Sequence, residues 1–185
     1  SFRPAERGGE HFTEIDLADV DKQTGEVAGG RARIGHGFKG SKTPFDVGDL
    51  LFARIRPSLN NVVIASKPHP DLPETLCGSS EWIRLKPEMD RYFALIAARS
   101  HFVRDQLGST GGQTRPRIKA SDLPSLYVPD PGEANRAAIH RIVGRAMTAR
   151  ASARRDLDAV AALYAAFGNG EIDESALATG LAALA

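Results

Sequence analysis

From residue 133 to residue 167 the chain contains no proline and a single glycine, Gly144, and it is rich in alanine and arginine. A stretch of that length without a breaker reads as one long helix. Its apolar positions step alternately by four and three: Ile139, Val143, Ala146, then Ala153, Leu157, Val160, Tyr164 and Phe167, with Arg150 in the one slot that departs from the pattern. That is a heptad seam of about four repeats on a rod of roughly 50 Å, at 1.5 Å per residue. Alanine in a seam lets a second helix approach closely but buries little area of its own. The seam therefore calls for a partner helix, from the same larger polypeptide or from another chain; packing on the rest of the molecule is the other reading. Gly168-Asn169-Gly170 ends the helix, and residues 171–185 read as a short helical tail.

The preceding part of the chain has the opposite character. Glycine and proline recur, and between them lie apolar runs with β character: Leu50-Leu51-Phe52-Ala53-Arg54-Ile55, Asn61-Val62-Val63-Ile64-Ala65 and Trp82-Ile83-Arg84-Leu85. Shorter candidate strands are Glu14-Ile15-Asp16-Leu17 and Leu126-Tyr127-Val128. One helix interrupts the strands, from Met89 or Asp90 to Leu107, with Phe93, Ile96, Ala97 and Val103 on its apolar face and Gly108 as its stop. The expected fold class is α+β: a strand-rich domain over residues 1–131, a long helix over 132–168 and a helical tail over 169–185.

Among 185 residues, 24 basic groups nearly cancel 23 acidic ones, so the total shows no bulk affinity for polyanions. The total conceals segregation. Residues 1–30 hold three basic and seven acidic groups, whereas residues 31–67 hold seven basic and two acidic. Residues 99–119 carry five cations against Asp105, and residues 133–158 carry six arginines against three acidic groups. Basic stretches separated by acidic ones can build a one-sided positive surface, the footprint a phosphate backbone requires; scattered solvated charge is the bland alternative. Cys77 is the only cysteine, which excludes an intramolecular disulfide framework and points to a reducing, cytoplasmic setting. No apolar run approaches the roughly 20 residues of a spanning helix.

Gly35-His36-Gly37-Phe38-Lys39-Gly40 matches the dinucleotide-binding glycine pattern literally, yet it lacks the context that makes the pattern work. Arg31-Ala32-Arg33 is not a buried strand, and Pro44 stands where a helix should run. A loop carrying Lys39, Ser41 and Lys42 is the better reading. The five histidines are isolated, Cys77 has no companion at ligand spacing, and no acidic cluster has nuclease spacing, so neither a metal site nor a catalytic site is expected.

Two stretches say more. In Val47-Gly48-Asp49-Leu50-Leu51-Phe52-Ala53-Arg54-Ile55-Arg56-Pro57, a turn at Gly48-Asp49 leads into a strand. Its alternation sends Leu51, Ala53 and Ile55 to one face and Leu50, Phe52, Arg54 and Arg56 to the other, and Pro57 ends it. In Ser109-Thr110-Gly111-Gly112-Gln113-Thr114-Arg115-Pro116-Arg117-Ile118-Lys119, hydroxyls and glycines suit close approach to a phosphate. Gln113, Arg115 and Arg117 are available there for base edges. A polar loop joining a helix to a strand is the alternative.

Taken in order, these stretches resemble the target recognition domain of type I restriction–modification specificity subunits, also found at the C-terminus of fused type IIG-like enzymes. The resemblance lies in Glu14-Ile15-Asp16-Leu17, then Gly48-Asp49-Leu50-Leu51-Phe52 running on to Arg54-Ile55-Arg56-Pro57-Ser58-Leu59-Asn60. It continues through Gly78-Ser79-Ser80-Glu81-Trp82-Ile83-Arg84-Leu85-Lys86-Pro87, the 111–118 loop and Asp122-Leu123-Pro124-Ser125-Leu126-Tyr127-Val128-Pro129. It covers about residues 11–167. The family enters its spacer helix through a Pro-Pro-Leu type of turn, from which Asp130-Pro131-Gly132-Glu133-Ala134-Asn135 departs.

The resemblance implies sequence-specific reading of one half of a bipartite DNA target in a phage-defence system. The long helix would pair with that of a second recognition domain, or of another copy, as a ruler between half-sites. Catalysis would belong to partners: a methyltransferase subunit using S-adenosylmethionine and a nuclease subunit using ATP and Mg2+, with no cofactor on this chain. The expected DNA-binding residues are Lys39, Ser41, Lys42, Arg54, Arg56, Ser109, Thr110, Gln113, Thr114, Arg115, Arg117 and Lys119. The seam residues named above form the partner face. With one recognition domain and Ser1 in place of Met, the chain is expected to be a half-subunit that dimerises, a fragment or the tail of a fused enzyme. The rival function is a protein-interaction adaptor that docks through its helix and touches no DNA.

Overall fold

The computed structural model of the chain describes residues 1–107 and 117–185, and it divides into two compact units, Ser1–His140 and Arg141–Ala185. The first unit carries the strands β1 (His11–Ile15), β2 (Val20–Asp21), β3 (Glu26–Val27), β4 (Arg31–Ile34), β5 (Lys42–Phe45), β6 (Leu50–Ala53), β7 (Val62–Ile64), β8 (Leu76–Ser79) and β9 (Trp82–Leu85). Among the described residues they form a mixed sheet in the order β4-β1-β8-β5, a second sheet β7-β6-β9 and the small ribbon β2-β3. In the mixed sheet β1 runs parallel to β8 and antiparallel to β4.

The core lies where these sheets meet. Ile15, Phe45, Leu51, Ala53, Val63, Leu76 and Trp82 form one buried cluster. Trp82 is its largest member, and its indole Nε1–H donates to the Ile15 carbonyl at 3.1 Å, tying β9 to β1. That contact fixes the residue beneath it. A Cβ on Gly78 would lie 2.1 Å from the Ile15 carbonyl oxygen and 2.9 Å from the Trp82 ring, so only glycine fits. Cys77, beside it on β8, is fully buried, and burial pushes its thiol pKa up to about 12, with Glu14 adding to the shift.

Gly48 adopts φ +93°, and the strand it introduces is shorter than its apolar run, ending at Ala53. All four β6 residues are buried, because the strand is central in its sheet and covered on both sides. The two-face alternation expected from Leu50 to Arg56 therefore does not operate there. Arg56 turns to φ +50° instead, opening a 3₁₀ turn over Pro57–Leu59.

The single helix expected to end at Leu107 is two: α1 (Arg91–Arg99) and α2 (His101–Gln106). Ser100 breaks it with an extended ψ of 148°. Its hydroxyl donates to the Ala97 carbonyl at 2.7 Å and accepts from the Val103 N–H at 3.2 Å, closing one helix and capping the next. The kink buries Phe93, Ala94, Leu95 and Val103 but leaves Ile96 exposed, contrary to the continuous apolar face.

Leu126-Tyr127-Val128 is not a strand either. It follows a 3₁₀ segment, Ala120–Ser125, and the Gln106 side-chain amide both donates to and accepts from the Tyr127 backbone, at 2.9 and 2.8 Å. A side chain thus makes the hydrogen bonds that a neighbouring strand would have made.

The long helix α3 spans Glu133–Gly168 and the tail helix α4 spans Glu174–Leu184. The first turns of α3 belong to the strand-rich unit, where His140 Nδ1 lies 2.6 Å from Asp90 Oδ2. Within the second unit α4 lies against α3, and a Cβ on Gly180 would come within 2.8 Å of the Leu163 side chain. Among the described residues no helix is long and apolar enough to cross a membrane.

Candidate nucleic-acid interface

Cations from three segments of the strand-rich unit reach its surface, each held differently. The first group is built on β1. Glu14 is 1% exposed, and its carboxylate lies within reach of three cations, two from the flanking strand β4 and one from β5 beyond β8. Arg31 Nε donates to its Oε2 at 2.9 Å, Arg33 Nε lies 3.1 Å from the same oxygen, and Lys42 Nζ lies 2.5 Å from Oε1. The arrangement follows from register: Arg31 on β4 stands directly opposite Glu14 on β1, and Arg33 stands opposite Phe12. Period-two alternation puts both arginines on Glu14's side of the sheet. Burial raises the Glu14 pKa, but Lys42 and Arg31 outweigh it and hold the carboxyl below its ordinary value. Below these groups the Phe38 ring is buried, with Arg33 and Lys42 each 5.6 Å from its centroid.

The second group surrounds a polar cleft of about 470 Å³ lined by Thr43, Arg54, Ser80, Glu81, Arg84 and Arg117, among others. Arg54 and Arg117 meet there because Ile55 and Arg117 form an antiparallel bridge, and the Ile118 N–H donates to the Arg54 carbonyl at 2.9 Å. Arg117 is paired with Glu81 and remains more than half exposed. Arg54 is half-buried, and among the described residues nothing accepts from its Nε–H. Arg84 is directed to Asp46 and Asp49. Thr43, the neighbour of Lys42, links the cleft wall to β5.

The third group is the loop after β6. Arg56 is exposed at φ +50°, immediately before Pro57, and Asn60 closes the turn at φ +58°. Two non-glycine residues in the left-handed region within five positions mark stored backbone strain, a condition that gathers at working surfaces.

Lys39, Ser41 and Lys119 are exposed, as a contact surface requires. Ser109, Thr110, Gln113, Thr114 and Arg115 lie outside the described residues. Arg99, counted with the basic stretch 99–119, does not serve that surface. Its guanidinium donates to the carbonyls of Asn60, Val62, Lys22 and Gln23 at 2.7–3.2 Å, and burial lowers its pKa. It ties α1 to two loops. Arg31 and Arg33 were not singled out from the sequence. The signal was an arginine pair at spacing two, with one acidic residue, Glu14, in the strand His11–Ile15. Their strand β4 is exposed and leads into a short 3₁₀ turn at Gly35–Gly37, so the glycine-rich run lacks the buried strand and following helix that the dinucleotide pattern works between. Among the described residues no group of His, Cys, Asp and Glu is arranged to hold a metal ion.

Along α3, Ile139 and Val143 are half-buried, whereas Ala146, Ala153, Leu157, Val160, Tyr164 and Phe167 are exposed, Leu157 and Tyr164 by about 70%. Leu163, which meets α4, lies on a neighbouring face, so the helical hairpin leaves the seam uncovered within its own unit.

No protein-family model and no curated protein sequence matches the chain. Solved structures do match. One, from work on complex assembly and conformational transition of the type I restriction–modification system, superposes with a TM-score of 0.65 at 20% identity, covering 88% of this chain and 42% of that one. The HsdS subunit from Thermoanaerobacter tengcongensis gives a TM-score of 0.64 at 20% identity, over 91% of this chain and 45% of that one. The fold is thus that of type I specificity chains, α+β with a strand-rich domain running into a long helix, and the chain spans less than half the length of each match.

Proposed function

We propose that the chain is a non-catalytic DNA-recognition module that reads one half-site and directs the methyltransferase and nuclease subunits of a restriction–modification assembly to it. The observation that carries this reading is the fold: nine-tenths of the chain superposes on an HsdS subunit. The surface supports it, because Arg31, Arg33, Lys42, Arg54 and Arg117 are held with defined geometry on one globule. Cations would supply sequence-blind affinity for phosphates, while Gln113, Arg115 and Arg117 read base edges. The exposed seam of α3 would pair with the helix of a second recognition domain or a second copy, setting the distance between half-sites. S-adenosylmethionine, ATP and Mg2+ would be handled by the partner subunits.

Selection of duplexes from a randomised pool by the purified chain tests this directly. Enrichment of one short motif, with binding weakened by Arg115→Ala, is the expected result. Retention of duplexes without enrichment, or no retention at low salt, would overturn it in favour of an adaptor that docks through its helix.

A further inference from the structure

The cluster on β1 holds more positive charge than the fold requires. One buried carboxylate is balanced by one cation, yet three converge on Glu14. Asp16 takes part of the excess, with Oδ2 at 2.6 Å from Arg31 Nη2, and the five groups still sum to a net positive charge. Exposure within the cluster is uneven. The Glu14 side chain is 2% exposed and that of Lys42 15%, whereas those of Arg31 and Arg33 are 51% and 39% exposed. Solvent therefore meets chiefly the two arginines, and not the buried carboxylate that orders them. The Phe38 ring forms an apolar floor under Arg33 and Lys42, and the Gly37 carbonyl accepts from Arg33 Nη1 at 3.0 Å, so Arg33 is fixed from two sides. Guanidinium groups ordered before contact present planar N–H forks that match phosphate oxygens.

We propose that Arg31, Arg33 and Lys42 form a platform for the sugar–phosphate backbone of duplex DNA, and that Glu14 is the positioning residue beneath it. The inference rests on the DNA-recognition reading and adds a contact surface on β4 and β5. The platform is sequence-blind. It fixes the orientation of the module on the duplex while the loop reads bases.

The test uses the full chain and fluorescent duplexes of unrelated sequence, with anisotropy measured between 50 and 200 mM salt. In the Arg31→Gln/Arg33→Gln double variant, the slope of log affinity against log salt should shrink by about 2, with affinity falling about tenfold on every duplex alike. Lys22→Gln, an exposed charge next to the β2–β3 ribbon, should leave both near wild type. Arg33→Lys should recover most of the slope lost in Arg33→Gln. If the double variant fails to fold by Trp82 fluorescence, Arg33→Gln alone carries the test, since Glu14 then keeps Arg31 and Lys42; its slope should drop by about 0.9. Folded variants with wild-type slope and affinity would overturn the platform while leaving the DNA reading intact. A wild-type chain with no salt-sensitive binding would overturn the DNA reading itself, and the platform with it.

Discussion

Replacing Glu14 with glutamine tests whether the β1 cluster is a linked electrostatic unit. The substitution keeps the shape of the side chain and one carbonyl acceptor but removes the negative charge that Arg31, Arg33 and Lys42 share. Breaking a fully buried pair costs about 3–5 kcal/mol. Here the cost is smaller, because Arg31 and Arg33 are half-exposed and can turn to water, where such pairs contribute at most about 1 kcal/mol. Lys42 cannot escape as readily, with its side chain only 15% exposed. The expected destabilisation is therefore about 2–3 kcal/mol, from Lys42 for the most part. For a unit of this size that lowers Tm by about 6–12 °C. Urea unfolding followed through Trp82, the only tryptophan, measures it. The direction of the pH dependence is also fixed. Glu14 has a lowered folded-state pKa, so its contribution is present above the ordinary glutamate value and is lost as pH falls through the folded one. The gap between wild type and Glu14→Gln should then be widest near neutrality and close in acid. A variant within about 0.5 kcal/mol of wild type at neutral pH, or a gap that widens in acid, would refute the reasoning.

Two further outcomes follow from particular residues. Arg56 adopts φ +50°, which costs an L-residue about 1–2 kcal/mol, so Arg56→Gly should stabilise the fold by about 0.5 kcal/mol after glycine's entropy cost while weakening DNA binding. Denaturation and anisotropy on the same variant check the opposite signs. The exposed seam of α3 should make the chain self-associate, and Ala153→Glu should shift sedimentation toward monomer, since a larger side chain there costs about 1–3 kcal/mol in overpacking. A wild-type monomer at all concentrations would count against the seam as a pairing face.

The long helix was legible because 36 residues without proline leave a local code little competition, and α3 ends at Gly168, where the glycines begin. The strands β7 and β9 were legible for a similar reason: apolar runs bounded by turn residues. The kink at Ser100 was not, because a helix-period reading extends through any residue that is tolerated in a helix. What decided it was a hydroxyl with two backbone partners, one on each side. Tyr127 failed as a strand residue for a tertiary reason, since its hydrogen bonds go to Gln106, 21 residues away.

The candidate surface divides in the same way. The exposure of Lys39, Ser41 and Arg117 could be read from type and neighbourhood, because polar loop side chains need no distant partner to reach solvent. Arg99 could not be sorted from them by type. Its carbonyl partners, from Lys22 to Val62, come from segments brought together only by the fold. The β1 cluster lies between these cases. Arg31 and Arg33 at spacing two announce one face of a strand, but whether that face meets solvent or a carboxylate depends on β4 pairing with β1 in the register that sets Arg31 opposite Glu14. Slip that register by one residue and Glu14 would face away from both arginines. The charge pattern of this surface is therefore a consequence of strand pairing, which is why a charge count along the chain found the basic stretch and missed the residue that orders it.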